Sequence, residues 1–329
     1  MKRILLAALF SVVSVASSAQ VSLLNVSYDV SRDFYKDYNP LFAAAWKAKT
    51  GETLELKQSH AGSTKQVRAV ADGLEADIVT MNQATDIQFL VDKGLVVTDW
   101  AKKFPSAASP YTSTMVFIVR KGNPKQIRNW PDLAKSGIGV ILPHPKNTGN
   151  GRYSYLAAWG WAQSQPGATQ ESAKGFVAAM LRNAPLFASG GRDATTSFMQ
   201  RRLGDVLVTF ESEAELIARE FGRGEFEVVY PSQSILAEFP VALVEKTVDR
   251  RNTRKQAQAY LEYLWSPAGQ EVAAQNYLRP RDAAVLKKYA AQFPAIKTFT
   301  VDEAFGGWSK AAATHFKDGG SFDQLYVNK

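Results

Sequence analysis

Three segments of the chain place small hydroxyl residues and glycines between a predicted strand and a predicted helix. Their sequences are QSHAGSTKQ at 58–66, PKNTGNGR at 145–152 and SGGRDA at 189–194. A helix start leaves up to four backbone N–H groups without an intrahelical partner and carries about half a positive charge. Glycine lets an anion approach these groups closely, and a Ser or Thr hydroxyl adds one more donor. Together the three segments predict a site for a small oxyanion, built from uncharged donors.

Each segment also has a simpler interpretation when it is taken alone. Ser63 followed by Gln66 fits a capping box, in which the serine only caps a helix. Glycine-rich stretches such as 148–151 and 190–191 also occur in ordinary loops between strands and helices. Only the three segments together indicate a ligand site, so we expect them to converge in the folded chain.

Short apolar strands alternate with amphipathic helices, and this order predicts the α/β class. Strand-like runs occur at 23–28, 54–57, 76–81, 113–120, 139–142, 205–210, 226–230 and 239–244. Alternation of strand and helix implies parallel sheets joined by crossover helices. The pattern restarts near residue 112, which predicts two α/β lobes, one made of 20–111 plus 236–329 and the other of 112–235. A ligand would bind in the cleft between them, where binding sites are common.

Two sequence patterns are specific enough to locate individual helices. Apolar residues recur at helical spacing from Phe34 to Trp46, with Pro40 predicted to kink that helix. Ser266 and Pro267 fit the N-cap and the first position of another helix near the C-terminus.

The first residues, 1–19, have the pattern of a secretory signal peptide. Two basic residues precede an apolar run at 4–15, and small residues follow at 17 and 19, where a signal peptidase reads the chain. The apolar run is too short for a comfortable membrane span. We therefore expect an exported protein whose mature chain begins at Gln20.

Composition excludes several classes of function. The chain contains no cysteine, which rules out thiol nucleophiles and cysteine-ligated metals. Its formal net charge of +8 comes from dispersed Lys and Arg. No dense basic run or basic–aromatic array of the kind that binds single strands is present, so we expect no nucleic-acid partner. The positive charge instead favours the steering of small anions toward the protein.

Catalytic interpretations find little support in the sequence. The chain has three histidines, at His60, His144 and His315. They are widely separated and lack metal-ligand spacing, so we expect no metal and no cofactor. His60 lies three residues before Ser63, which leaves open a secreted serine hydrolase, although no third orienting group is apparent. Glu211 and Glu213 would point to opposite faces of a strand, so they do not suggest a catalytic pair.

Two further alternatives concern the ligand and the class of protein. A ferric-iron site would need clustered tyrosines and carboxylates, for which Tyr28, Asp29 and Tyr111 are candidates. The glycine and hydroxyl turns argue against iron. A surface adhesin would need an exposed apolar patch, which a sequence does not reveal.

Longer motifs resemble the periplasmic sulfate- and thiosulfate-binding proteins of ABC importers over essentially the whole mature chain. With QSHAGSTKQ, the motifs are LLNVSYDVSRDFY (23–35), YTSTMVFIVRKGNPKQI (111–127), NTGNGRYSYLAAWGW (147–161), SILAEFPVA (234–242), YLWSPAGQ (263–270), YLRPRD (277–282) and FGGW (305–308). The resemblance implies the class II periplasmic-binding-protein fold, two α/β lobes joined by a hinge. It also implies a monomeric periplasmic protein that is not an enzyme and delivers its anion to a membrane permease.

The same resemblance implies which residues surround the ligand. The positions that match ligand contacts are Ser63, Thr148, Gly149, Asn150, Gly191 and Phe210. At Ser63 the hydroxyl and the N–H are implied as donors, and at Gly191 the N–H. Asp29, Arg152 and Arg192 match residues that hydrogen-bond the backbone around the site without touching the anion.

Two of these positions depart from the sulfate-binding pattern. Thr148 stands where those proteins have Ser, which keeps the hydroxyl and adds a methyl group. Phe210 stands where they have Trp, so one N–H donor is missing, and its surroundings resemble the thiosulfate-binding branch. Thiosulfate carries a terminal sulfur, and sulfur–aromatic contacts are worth about 0.3–1.5 kcal/mol. We therefore favour a thiosulfate-type site, with another oxyanion such as molybdate as the alternative ligand.

Overall fold

The computed structural model describes residues 20–222 and 224–326. The predicted signal peptide at 1–19 lies outside the described residues and stays a prediction. Within the two described ranges, no helix has the length and apolar character needed to cross a bilayer.

The first lobe is built on a four-stranded sheet. Its strands are β1 (Val21–Tyr28), β2 (Leu54–Ala61), β3 (Ile78–Thr80) and β10 (Val241–Leu243). Their order is β10-β3-β1-β2, with β1 parallel to both β2 and β3, and β10 antiparallel to β3. The carboxyl ends of the three parallel strands therefore meet at one edge of the sheet.

The second lobe is built on an eight-stranded mixed sheet. Its strands are β4 (Tyr111–Arg120), β5 (Val140–Pro143), β6 (Phe187–Ala188), β7 (Val206–Phe210), β8 (Phe226–Val229), β9 (Gln233–Glu238), β11 (Arg279–Pro280) and β12 (Lys297–Phe299). The main order is β12-β9-β4-β7-β5-β6, and β8 and β11 also pair with β4. Strand β5 is parallel to β6 and β7, so these three strands also end at a common edge.

Helices connect the strands and cover the sheets. They are α1 (Arg32–Thr50), α2 (Ser63–Ala71), α3 (Ala84–Asp92), α4 (Pro105–Ala108), α5 (Gly149–Gln163), α6 (Gln170–Arg182), α7 (Gly191–Met199), α8 (Glu211–Phe221), α9 (Glu245–Arg251), α10 (Arg254–Glu262), α11 (Pro267–Gln275), α12 (Ala283–Lys288), α13 (Val301–Phe305), α14 (Trp308–Ala311) and α15 (Ser321–Tyr326). A π-helical turn, Ala312–Phe316, follows α14. The predicted α/β class is confirmed.

Local signals account for several of these elements. Every residue of β4 from Tyr111 to Val119 is buried, as expected for a central strand covered on both faces. Helix α1 continues through Pro40 and buries Phe34 and Trp46 on its apolar side. The predicted cap at Ser266 is confirmed, since its side chain accepts the N–H of Gly269 at 3.1 Å.

The C-terminal part of the chain contacts both lobes. Strand β12 pairs with β9 of the second sheet, and the Phe322 ring packs 5.3 Å from His144 and 5.8 Å from Phe187. Helix α14 contacts α3 of the first lobe. The division into lobes of 20–111 plus 236–329 and of 112–235 stays a prediction. The contacts described here show that the segment from β12 to α15 packs against both lobes.

Candidate functional site

The predicted site residues follow the carboxyl ends of strands from both sheets. In the first lobe, Asp29 follows β1 and Ser63 follows β2. In the second lobe, Thr148 follows β5, Gly191 follows β6 and Phe210 ends β7. Ligands of open α/β sheets bind beyond the carboxyl ends of the strands. The topology therefore directs all five positions into the cleft between the lobes.

Ser63 is the first residue of α2 and is only 2% exposed. Its Oγ donates to Oδ2 of Asp86 at 2.5 Å, and it lies 3.4 Å from the backbone N of Asn82. The predicted capping box is wrong: Gly62 is the N-cap, and the Gln66 side chain pairs with Ser59 instead. Because the Ser63 hydroxyl already donates to Asp86, the backbone N–H groups in the first turn of α2 are the donors left for a ligand.

Helix α5 presents a second set of backbone donors. Thr148 is its N-cap, and its hydroxyl accepts the N–H of Gly151 at 3.0 Å while donating to the carbonyl of His144 at 3.0 Å. Gly149 and Asn150 are the first two residues of the helix, so their N–H groups have no intrahelical acceptor. Thr148 thus fixes the turn, and the N–H groups of Gly149 and Asn150 remain free to bind a ligand.

Gly149 is one of the points at which the two lobes touch. A Cβ added at this glycine would lie 1.9 Å from Oδ1 of Asn82, which belongs to the first lobe. Asn82 in turn contacts Ser63. The starts of α2 and α5 therefore meet across the cleft with a single asparagine between them, and a larger residue at position 149 would require the Asn82 side chain to move.

Helix α7 brings a third helix start to the same place. A Cβ added at Gly191, its first residue, would lie 3.3 Å from Nδ2 of Asn150. Asp29 of the first lobe accepts the backbone N–H of Arg192, and burial raises the pKa of the Asp29 carboxyl. The Arg192 guanidinium points outward to Glu220 at 2.9 Å. Asp29 thus holds the backbone of this turn across the cleft.

Arg152 also links the lobes. Its Nη2 donates to the carbonyl of Lys146 at 2.9 Å, and its Nη1 approaches Oγ1 of Thr85 at 3.4 Å. Burial raises the pKa of Asp86, while hydrogen bonds such as that from Ser63 and the positive charge of Arg152 act in the opposite direction. The guanidinium therefore compensates a buried carboxyl behind Ser63.

Phe210 is fully buried between the ring of Tyr153 on α5 and that of Phe239, which lies between β9 and β10. The Phe210 ring centroid lies 5.7 Å from that of Tyr153 and 5.3 Å from that of Phe239, in edge contacts with both. Tyr28 stacks on the far side of Phe239 at 5.3 Å. The position offers an aromatic surface and no hydrogen-bond donor.

Glu213 is a site residue that the sequence interpretation missed. It lies on helix α8, not on a strand, and is 2% exposed. Its Oε1 accepts from Nδ2 of Asn150 at 2.7 Å and lies 2.7 Å from where a Gly191 Cβ would be. Burial, and then the charge of Asp29, raise its pKa to about 8. The carboxyl is therefore mostly protonated at pH 7, and it adds little negative charge beside two helix starts.

The raised pKa of Glu213 predicts a pH-dependent stability. Between about pH 4.5 and pH 8 the folded state keeps a proton that the unfolded state releases. The free energy of unfolding should therefore fall as pH rises through this window. Urea denaturation at steps from pH 4.5 to 9 should show wild type losing stability relative to Glu213→Gln, whose amide does not titrate. Parallel curves for the two proteins would contradict the assignment.

The hydrolase alternative finds no support in the geometry around Ser63. Nδ1 of His60 pairs with Oγ of Ser27 at 2.6 Å, and burial lowers the histidine's pKa to about 4. Ser63 is hydrogen-bonded to Asp86 instead. A histidine that is turned away from the hydroxyl cannot activate it as a nucleophile.

Known proteins match this chain over most of its length. A family model described as bacterial extracellular solute-binding protein matches residues 30–279. The thiosulfate-binding protein of Pseudomonas aeruginosa is 57% identical over 312 residues, which cover 94% of each chain. The sulfate-binding protein of Escherichia coli is 50% identical over 305 residues, or 93% of each chain.

Solved structures agree with these relatives. The sulfate-binding protein SubI from Mycobacterium tuberculosis has a TM-score of 0.81 at 32% identity, covering 89% of this chain and 99% of that one. A periplasmic thiamin binding protein has a TM-score of 0.68 at 17% identity, covering 94% and 97%, and shares the fold alone. The predicted periplasmic-binding-protein fold is thus confirmed. The chain belongs to the bacterial extracellular solute-binding proteins, in the group that contains the sulfate- and thiosulfate-binding proteins.

Proposed function

We propose that this chain is the periplasmic solute-binding component of an ABC importer and that it captures sulfate or thiosulfate between its lobes. The observation that carries the proposal is the meeting of three helix starts, at Ser63, Gly149 and Gly191, around Asn82 and Asn150. Names of the relatives, thiosulfate- and sulfate-binding protein, support the same ligands. The protein acts as an exported monomer that passes its anion to a membrane permease.

The donors of this site carry no formal charge. Backbone N–H groups at positions 63, 149, 150 and 191 would hold the oxygens of the anion, with Phe210 at one side. Hydrogen bonds to a charged group are worth about 1.5–3 kcal/mol each. A few of them can supply the about −8 kcal/mol of a micromolar dissociation constant after the entropy costs of binding.

A site made only of donors also provides selectivity. Sulfate and thiosulfate are fully deprotonated at neutral pH, whereas phosphate keeps a proton that needs an acceptor. A buried polar group without a partner costs about 1–3 kcal/mol, and more when charge is involved. Asp86 is hydrogen-bonded to Ser63, and Glu213 accepts from Asn150. With both carboxyl groups engaged in these bonds, the backbone N–H groups at 63, 149, 150 and 191 offer no acceptor to the proton of phosphate, so we expect phosphate to bind more weakly.

Calorimetric titration of ligand-stripped protein with a panel of oxyanions tests this proposal. Sulfate or thiosulfate should bind in the micromolar range, and phosphate more weakly by about 10⁴, the discrimination that unpaired buried polar groups can provide. Molybdate should bind only as far as its size fits. The proposal is wrong if no oxyanion binds, or if phosphate binds as tightly as the best ligand.

Phe210→Trp is expected to shift the preference from thiosulfate toward sulfate. The indole N–H would add a donor at a position that is now a bare aromatic surface. One such bond is worth about 1.5–3 kcal/mol, so the ratio of the two dissociation constants should change by about tenfold or more. Phe210→Leu serves as control, because it removes the aromatic surface without adding a donor. An unchanged ratio in Phe210→Trp would remove Phe210 from the ligand site.

A further inference from the structure

A cavity lies at the rim of the cleft, on the far side of Asp86 and Arg152 from Ser63. Its volume is about 420 Å³, which is in the size range of ligand pockets. The first lobe lines it with α2 and α3, including Arg68, Thr85 and Phe89. The second side is formed by Arg152 and by the turn that ends at Phe316 and Lys317. We call this space the rim cavity.

Positive charge dominates the rim cavity. Arg68, Arg152 and Lys317 line it, with Asp86 as the one acidic residue of the lining. Asp86 already accepts hydrogen bonds from Ser63 and is buried. The Nε of Arg152 is buried without a hydrogen-bond partner. Burial lowers the pKa of Arg152; the charge of Asp86 raises it, and that of Arg68 lowers it further.

The two exposed cations of the rim cavity are not neutralised locally. Across the parts of the chain that the structure describes, neither Arg68 nor Lys317 forms an ion pair. Both side chains are exposed, as is Phe89 at 36%. Phe89 and Phe316 add apolar surface between the charges. This combination suits a carboxylate on an aliphatic stem better than a bare tetrahedral ion.

The rim cavity is lined by residues of both lobes. Arg152 of the second lobe reaches Thr85 of the first at 3.4 Å, and its guanidinium lies 5.6 Å from the Phe316 ring. Lys317 follows that ring in the C-terminal segment, which contacts both lobes. Since Arg68 is on α2 of the first lobe and Arg152 is on α5 of the second, opening of the cleft would separate these two cations.

We propose that the rim cavity is the docking site for an acidic side chain on a periplasmic loop of the membrane permease. The inference rests on the proposed function and deepens it, because it names the contact through which the permease would distinguish the closed protein from the open one. A partner that needs cations from both lobes binds the closed form more tightly than the open form. Docking is then coupled to the presence of the anion through the hinge.

Charge reversal at Arg68 and Lys317 tests the inference. Uptake of ³⁵S-labelled sulfate or thiosulfate would be measured in cells of the source organism that carry the substitution, and anion affinity by calorimetry on the purified variant. The double variant Arg68→Glu/Lys317→Glu should lower uptake tenfold or more while the dissociation constant stays within twofold. Arg68→Lys should retain most uptake, since it keeps the charge. Lys246→Glu, an exposed reversal on α9, should transport like wild type.

Three outcomes would overturn the docking site. Uptake by the double variant within twofold of wild type removes the contact. A loss of affinity in proportion to the loss of uptake places the two cations in the cleft instead. A calorimetric stoichiometry of two anions in wild type and one in the double variant makes the rim cavity a second free-anion site. Absence of oxyanion binding in wild type would instead refute the proposed function itself.

Discussion

Gly149→Ala is expected to weaken anion binding about tenfold to a hundredfold while leaving the free protein as stable as wild type. The added Cβ would lie 1.9 Å from Oδ1 of Asn82, which belongs to the other lobe, so we expect it to hinder closure and not the folding of either lobe. Inserting an atom into a packed contact costs about 1–3 kcal/mol, and each 1.4 kcal/mol is a factor of ten in affinity. Calorimetry gives the affinity, and thermal unfolding without ligand gives the stability. Small-angle scattering with saturating anion should show incomplete closure.

Two variants isolate the cause of the Gly149→Ala effect. Gly175→Ala places the same substitution on helix α6, where the new Cβ meets no atom within 4 Å, and should leave affinity unchanged. Asn82→Ala in the Gly149→Ala background removes the clashing side chain and should restore part of the lost affinity. If the single variant binds as wild type does, the contact between the lobes at this point does not govern closure.

Arg279→Met is expected to lower the free energy of unfolding by about 3–5 kcal/mol. Arg279 donates to both oxygens of Glu211, at 2.6 and 2.7 Å, and the Glu211 side chain is 1% exposed. The carboxylate also accepts from the hydroxyl of Tyr230 at 2.9 Å. Removing one partner of a buried ion pair leaves an uncompensated charge, which costs about this much. Urea denaturation at pH 7 measures the change.

An exposed ion pair provides the matched control for Arg279→Met. Arg250 pairs with Glu75 at 2.8 Å, but both side chains are more than half exposed. Arg250→Met should therefore cost less than about 1 kcal/mol. The double variant Arg279→Met/Glu211→Leu should recover much of the loss, because it removes the buried charge together with its partner. Equal effects at the buried and exposed pairs would show that burial of Glu211 is not the cause.

Local sequence signals predicted the strands and helices whose ends carry residues with a strong preference for turns or helix caps. The loss of apolar alternation at each turn located β1, β4 and β7 to within about two residues. The glycine and hydroxyl turns correctly placed the starts of α5 and α7. At α2 the same approach assigned a capping box to Ser63, because the spacing from Ser63 to Gln66 fits one. In the structure the Ser63 hydroxyl instead donates to Asp86 on α3.

Residues that complete the site without a local pattern were not predictable in this way. Asn82, Asp86 and Glu213 occur in stretches with no glycine or hydroxyl signature that marks a ligand turn. Their roles depend on burial and on partners in other elements: Ser63 for Asp86, Asn150 for Glu213 and Gly149 for Asn82. In the sequence, Glu213 is interpreted only for the case that it lies on a strand, whereas its position on α8 brings its carboxyl beside Asn150.

The amino-acid sequence by itself determined the α/β class, the uncharged character of the three turns and the resemblance to an oxyanion-binding group, because these follow from local periodicity and residue type. Only the tertiary structure decided that Asn82 separates the starts of α2 and α5, and that the rim cavity joins Arg68 to Lys317. Each of these contacts joins residues that are far apart in the chain. Their distance is set by sheet topology and closure of the hinge, which no short stretch of sequence encodes.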